Sequence, residues 1–161
     1  NNKMTKLNLG CGFDHKPQSE GWINVDIDND KNPDRWCNLN EPLIINERFK
    51  HLQLAQENEV GEVLIKHCLE HLNQDRFFSL MRELWILCCN NALITIIVPH
   101  WQQEAAFEPD HKWVYPPRSF RMITESSYSH LVAPAKFEII ELIEKDDALE
   151  PQTICKYKVI K

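Results

Sequence analysis

KLNLGCGFDHKPQSEGWINVDID, residues 6–28, is the stretch whose reading decides the fold. Apolar Leu7 and Leu9 run into a Gly10-Cys11-Gly12 turn; a polar loop carrying Pro17 and Gly21 follows, and a second apolar run, Trp22 to Val25, ends in Asp26. A strand that stops at a glycine turn lets backbone N–H groups come close to a ligand. A carboxylate ending the next strand can accept both hydroxyls of a ribose. This is nucleoside-binding chemistry. Only about a dozen residues separate the two runs, so the first crossover helix is predicted to be shortened or missing.

Outward from there, the chain reads as alternating strands and helices. Arg35–Leu39 is a candidate short third strand, and Val60–Lys66 a fourth. In the stretch from Ile44 to Glu59, apolar residues at 45, 49 and 52 fit a helical face, but the end of it is polar. Asn73–Cys89 predicts a helix, with Phe77, Met81, Leu84 and Cys88 on one stripe, Phe78 and Trp85 beside it, and Asp75 in the first turn. Asn90-Asn91 ends that helix, and the β-branched run Ala92–Val98 predicts a strand buried on both faces of a parallel sheet. Residues 99–117 form a loop crowded with His, Trp, Tyr and Pro, which favours a functional lid. Ser119–Leu131 predicts a second helix. Phe137–Ile143 and Thr153–Ile160 predict a closing hairpin, because their connection is too short for a parallel crossover.

The 161 residues therefore read as one α/β domain, with residues 1–5 expected outside the fold as a disordered or tag-derived end. A net charge of −6 argues against a nucleic-acid-binding face. No apolar run approaches a membrane span. Six cysteines without a C-x-x-C pair predict reduced thiols, a cytoplasmic protein and no metal site.

The G-x-G of residues 10–12 does not extend to the third glycine of a dinucleotide site, because that position is His15. The chain instead resembles the class I S-adenosylmethionine-dependent methyltransferases. The resemblance rests on six segments in order: Leu7–Gly12, Gly21–Asp26, Cys37–Leu43, His67–His71, Val98–His100 and Ala106–His111. Within that superfamily these match a small group reading L-N-L-G-C-G and H-x-L-E-H. The resemblance implies a Rossmann-like α/β methyltransferase fold, its sheet mostly parallel with an antiparallel last strand. It implies S-adenosylmethionine as cofactor.

Carried over by position, Gly10, Cys11 and Gly12 cradle the amino-acid and ribose part of that cofactor, flanked by Leu9 and Phe13. Asp26 binds the ribose hydroxyls, with Ile27 next to it. Asn38, with Leu39, faces the adenine amino group, and His67 sits at the rim. Lys16 is a candidate for the cofactor carboxylate because the first helix is missing. Three features depart from the group's pattern: Asn38 replaces an aspartate, Cys89-Asn90-Asn91-Ala92 replaces a glycine turn, and residues 57–62 replace a longer acidic and aromatic segment.

Methyl transfer needs a base only where the acceptor must lose a proton, and histidine suits that task. The candidates are His67 and His111, with His100 behind them. The acceptor is expected to be a small molecule. Two rival readings stand beside the enzyme: a non-catalytic module that binds S-adenosylmethionine or S-adenosylhomocysteine, and a zinc peptidase using His67, Glu70 and His71 as H-x-x-E-H. The last requires a helix across residues 67–71.

Overall fold

The computed structural model describes residues 4–44, 53–146 and 149–161. Seven strands form one sheet in the order β3-β2-β1-β4-β5-β7-β6. They are β1 (Thr5–Leu9), β2 (Trp22–Asp26), β3 (Arg35–Trp36), β4 (Val60–Lys66), β5 (Cys88–Pro99), β6 (Lys136–Lys145) and β7 (Gln152–Ile160). The first five pair in parallel, whereas β7 runs antiparallel to both β5 and β6. The mostly parallel sheet with its antiparallel closing strand agrees with the sequence reading.

The first crossover helix is absent. A single 3-10 turn, Gln18–Glu20, stands between β1 and β2, and another, Asn29–Lys31, between β2 and β3. Two buried asparagines take over the missing helix's work of fixing the connection. Asn8 and Asn24 are direct neighbours across β1 and β2, 3% and 2% exposed. Asn8 Nδ2 donates to Asn24 Oδ1 (2.9 Å) and to the Asp14 carbonyl (2.8 Å). Asn24 in turn accepts from the Lys16 N–H and donates to the Lys16 carbonyl and to Asp34. The loop is thus stitched to the strand edge by side-chain amides.

Helix α1 (Arg76–Leu87) buries Phe77, Leu80, Met81, Leu84 and Leu87. Helix α2 (Pro117–Met122) is locked beside it: Phe120 packs edge-on to Phe77, and Tyr157 Oη donates to the Phe120 carbonyl at 2.7 Å. Both helices cover the sheet face that carries Ile94 and Ile96 of β5 opposite Tyr157 and Cys155 of β7. The opposite face presents Thr95 against Lys156 and Leu93 against Lys158, and those lysines pair with Glu141 and Glu138. The expectation that Ala92–Val98 is buried on both faces is therefore corrected. Its residues alternate between buried and half-buried, because the second face is solvated here.

Other boundaries also move. Thr5 belongs to β1, and Met4 packs so close to Gly61 that a Cβ there would lie 1.8 Å from the Met4 sulfur. Met4 and Thr5 therefore belong to the fold, contrary to the expectation for residues 1–5. The predicted Asn73–Cys89 helix is trimmed at both ends, and Asn90-Asn91 lies within β5, where Asn91 adopts a left-handed φ of 66°. Ser119–Leu131 is a short helix plus a separate 3-10 turn at Ser129–Leu131. The third strand is only Arg35–Trp36. The helical face suggested by positions 45, 49 and 52 lies outside the described residues. No helix among the described residues is long and apolar enough to cross a membrane.

Candidate active site

After β1 the chain moves outward to β2 and β3, then returns past β1 to β4 and β5. That reversal opens a crevice between the carboxyl ends of β1 and β4, the place where open α/β sheets bind ligands. Gly10 follows β1 and Cys68 follows β4, and the Cys68 side chain packs directly on the Gly10 backbone. A Cβ on Gly10 would lie 2.4 Å from Cys68 Sγ. Gly10 and Gly12 both hold positive φ, 69° and 50°, and a Cβ on Gly12 would meet nothing within 4 Å. Gly10 is thus demanded by packing, and Gly12 faces open space.

A cavity of about 400 Å³ fills this crevice, lined among others by Gly10, Gly12, Asp26, Ile27, Asn38, Leu39 and His67. The remaining candidates lie elsewhere. Leu9 and Cys11 are buried, and burial pushes the Cys11 thiol up to about 11. Phe13 is 78% exposed beneath the Lys31 ammonium at 4.0 Å, and Lys16 pairs with Asp14 at 3.1 Å. Cys37, Asn40, Cys68 and Leu72 also line the cavity without being assigned to the cofactor from the sequence, as does His71, which the sequence offers only as a zinc ligand. Their common signal is position, since each follows a strand end.

The glycine turn works differently from the expectation. Gly10 and Cys11 N–H groups both donate to the Val25 carbonyl, at 2.8 and 2.9 Å, and the Gly12 N–H donates to Asp26 Oδ2 at 2.8 Å. These donors brace the strand ends rather than wait for a ligand. They also aim the Asp26 carboxylate, whose other oxygen accepts from the Asp28 N–H at 2.9 Å. Asn38 Oδ1 accepts from the Asn40 N–H at 3.1 Å, so it shapes the turn on the far wall.

His67 closes the cavity where β4 ends. Its backbone lies at φ 49°, a left-handed conformation that side chains bearing a Cβ rarely adopt, and its N–H donates to the Ile97 carbonyl. Burial, helped by nearby Lys66, pushes the imidazole below its ordinary value. His67 and His71 also line a second cavity of about 540 Å³, together with Glu70, Asp110 and His111. Residues Pro99, Ala105, Glu108, Asp110 and His111 of the 99–117 loop line this second cavity. The loop is tied down by the Lys112 N–H to the Glu70 carbonyl (2.7 Å) and by Tyr115 packed on Phe77 and Phe120. Glu70 is 2% exposed, and burial raises its carboxyl above the usual range.

His100 lines neither of these cavities. It is 2% exposed, with Nε2 2.8 Å from Asp146 and 3.3 Å from Glu144, and it anchors the hairpin to the end of β5. The peptidase reading lacks its helix: residues 69–71 form a 3-10 turn, and His67 leaves the strand in a left-handed conformation.

No family model and no curated protein matches the sequence. Solved structures do match. A methyltransferase dependent on S-adenosylmethionine from Archaeoglobus fulgidus has a TM-score of 0.62 at 18% identity, over 98% of this chain and 86% of that one. The N-methyltransferase NodS from Bradyrhizobium japonicum matches with a TM-score of 0.62 at 8% identity, over 98% of this chain and 86% of that one. The 1,6-didemethyltoxoflavin-N1-methyltransferase from Burkholderia thailandensis, solved with bound 1,6-didemethyltoxoflavin and S-adenosylhomocysteine, matches with a TM-score of 0.59 at 15% identity, over 98% of this chain and 72% of that one. Strand order, the antiparallel closing strand and these likenesses together give the chain the Rossmann-like fold of the S-adenosylmethionine-dependent methyltransferases.

Proposed function

We propose that the protein is an S-adenosylmethionine-dependent methyltransferase acting on a small-molecule acceptor. One observation carries the reading: two cavities meet at His67 and His71. One is built from the glycine turn and Asp26, the other from ionisable groups under the loop. The residues of the first fit the cofactor. Asp26 is held by two backbone N–H groups, a fixed carboxylate suited to ribose hydroxyls, and the space over Gly12 is open for a ligand. The cofactor supplies an electrophilic methyl group when bound. Ile27, Leu39 and Leu72 offer apolar contact for an adenine ring.

The chain's own contribution is orientation. The acceptor, held in the second cavity, presents a lone pair in line with the methyl carbon. Gly10, Gly12 and Asp26 would hold the cofactor, which would supply the methyl group, while the residues of the second cavity would hold the acceptor toward it. Such alignment is worth up to about 7–11 kcal/mol in well-oriented systems. His67, which lines both cavities, is the base for the acceptor's proton in this reading, with His111 and His71 on the acceptor side.

The test is calorimetric titration with S-adenosylhomocysteine, followed by a product screen with acceptors bearing hydroxyl or amino groups. Wild type is expected to bind one equivalent and Asp26→Ala to lose at least about tenfold in affinity, the loss of a charge-assisted pair of hydrogen bonds. Retained affinity in Asp26→Ala would sink the site. Binding without turnover of any acceptor would favour a non-catalytic module.

A further inference from the structure

We propose that Glu70, His71 and His111 form a binding site for one divalent transition-metal ion of the zinc type, facing the second cavity. Each of the three offers a ligand atom within 4.8 Å of the others. They come from a 3-10 turn after β4 and from the loop more than thirty residues later, and the Lys112 N–H to Glu70 carbonyl bond clamps the two segments together.

Two buried polar atoms here lack any hydrogen-bond partner among the described residues: Glu70 Oε2 and His111 Nδ1. The Glu70 side chain is 3% exposed and that of His111 6%. Unpaired buried atoms of this kind are rare because each forfeits its hydration. Both are donor atoms for a cation.

The far sides of the two imidazoles strengthen the assignment. His71 Nδ1 lies 3.4 Å from Asp110 Oδ2, which leaves its Nε2 on the Glu70 side, 3.9 Å from Oε1. His111 Nε2 lies 3.7 Å from Glu108 Oε2, which leaves the unpartnered Nδ1 inward. Each ring thus has a carboxylate within ion-pair distance of one nitrogen and its other nitrogen turned to the cluster, the arrangement of outer carboxylates around metal-bound histidines. The separation of 3.9 Å between His71 Nε2 and Glu70 is too long for a hydrogen bond. It is near the ~3.4 Å edge of a tetrahedron whose arms are about 2.1 Å long.

Two imidazoles and one carboxylate suit zinc and its neighbours better than magnesium or calcium, which prefer all-oxygen sets. Three protein ligands beside a cavity leave a position for an exogenous oxygen, which points to acceptors with a hydroxyl or carboxylate. That role rests on the methyltransferase reading; ion binding does not.

The test uses chelator-treated full-length protein, titrated with Zn²⁺ by calorimetry and with Co²⁺ by visible absorption. One equivalent is expected, with no thiolate-to-cobalt band. His71→Ala and His111→Gln should each weaken binding at least about tenfold, the lower end of what even supporting residues cost. Exposed His130→Ala and cofactor-site Asp26→Ala should leave it unchanged. Absence of stoichiometric binding, a thiolate band, or binding that survives both histidine substitutions would overturn the site. His111→Gln preserves volume and polarity, so the outcome stands if His71→Ala fails to fold. Because Asp26→Ala removes cofactor affinity alone, the metal site and the cofactor reading can fail separately.

Discussion

Arg76 grips Glu83 through two hydrogen bonds, Nη1 to Oε1 at 2.8 Å and Nη2 to Oε2 at 2.6 Å, both side chains on the inner side of α1. The pair reaches beyond the helix. Arg76 Nε donates to the Leu39 carbonyl and Nη2 to that of Glu41, while Glu83 Oε2 accepts from the Leu43 N–H. Neither residue lines the cavity beside the glycine turn, yet both fix the segment that forms its far wall.

Glu83→Ala is therefore expected to destabilise the fold by about 3 kcal/mol, because it strands a buried guanidinium. A paired change, Arg76→Met with Glu83→Leu, should cost less than Arg76→Met alone. Urea denaturation of wild type, Arg76→Met, Glu83→Leu and the double variant measures this. A double variant as destabilised as the sum of its parts would mean that the two side chains act independently.

The two glycines of the turn predict opposite phenotypes. Gly10→Ala places a Cβ against Cys68 at a left-handed φ, so it should lower stability by about 3 kcal/mol, combining overlap with backbone strain. Gly12→Ala meets no neighbour and should cost only about 1 kcal/mol, yet reduce affinity for S-adenosylhomocysteine. Thermal melts and calorimetry on both variants read the contrast; a stable Gly10→Ala protein would refute the packing account.

Asp34 predicts a pH signature. Burial alone would raise its carboxyl, but the Asn24 N–H at 2.7 Å, the Gln18 amide and the Asn24 Nδ2 at 2.8 Å outweigh it and hold the group below its ordinary value. A carboxyl lowered in the folded state adds stability that is present above its unfolded value, about pH 4, and is lost as pH falls through the folded one. The melting-temperature gap between wild type and Asp34→Asn should be open at pH 7 and close toward pH 3. A gap that persists in acid would assign the effect to amide geometry, not charge.

The legible parts of this chain were those decided by neighbours in sequence. Gly10, Gly12 and Asp26 follow directly from two strands and the turn between them, and the short path from Gly12 to Gly21 showed that a helix was missing. The end of α1 was misjudged because Cys88 and Cys89 continue an apolar stripe while already pairing in β5, and Asn90-Asn91, which looked like a stop, is absorbed as a left-handed kink in the strand. What sequence could not reach depends on register or on the path of a loop. Asn8 and Asn24 matter because parallel pairing sets them side by side. Arg76 and Glu83 read as ordinary polar residues of an amphipathic helix until the 39–43 segment is laid against them. His111 meets Glu70 and His71 only because the loop folds back over β4's end.

His67 shows how that strand end is built, and it yields the sharpest stability test. Its φ of 49° costs a residue bearing a Cβ about 1–2 kcal/mol, whereas glycine adopts it freely. Glycine also loses more chain entropy on folding, which returns about 0.4–1 kcal/mol of that gain. Comparing His67→Gly with His67→Ala removes the imidazole in both, so only the Cβ differs. The glycine variant is expected to be the more stable by about 0.5–1 kcal/mol, measured by urea denaturation, and both should lose turnover of an acceptor that must be deprotonated. If alanine proves the more stable, the left-handed turn is not held by the fold, and His67 would be free to swing away from the junction of the two cavities.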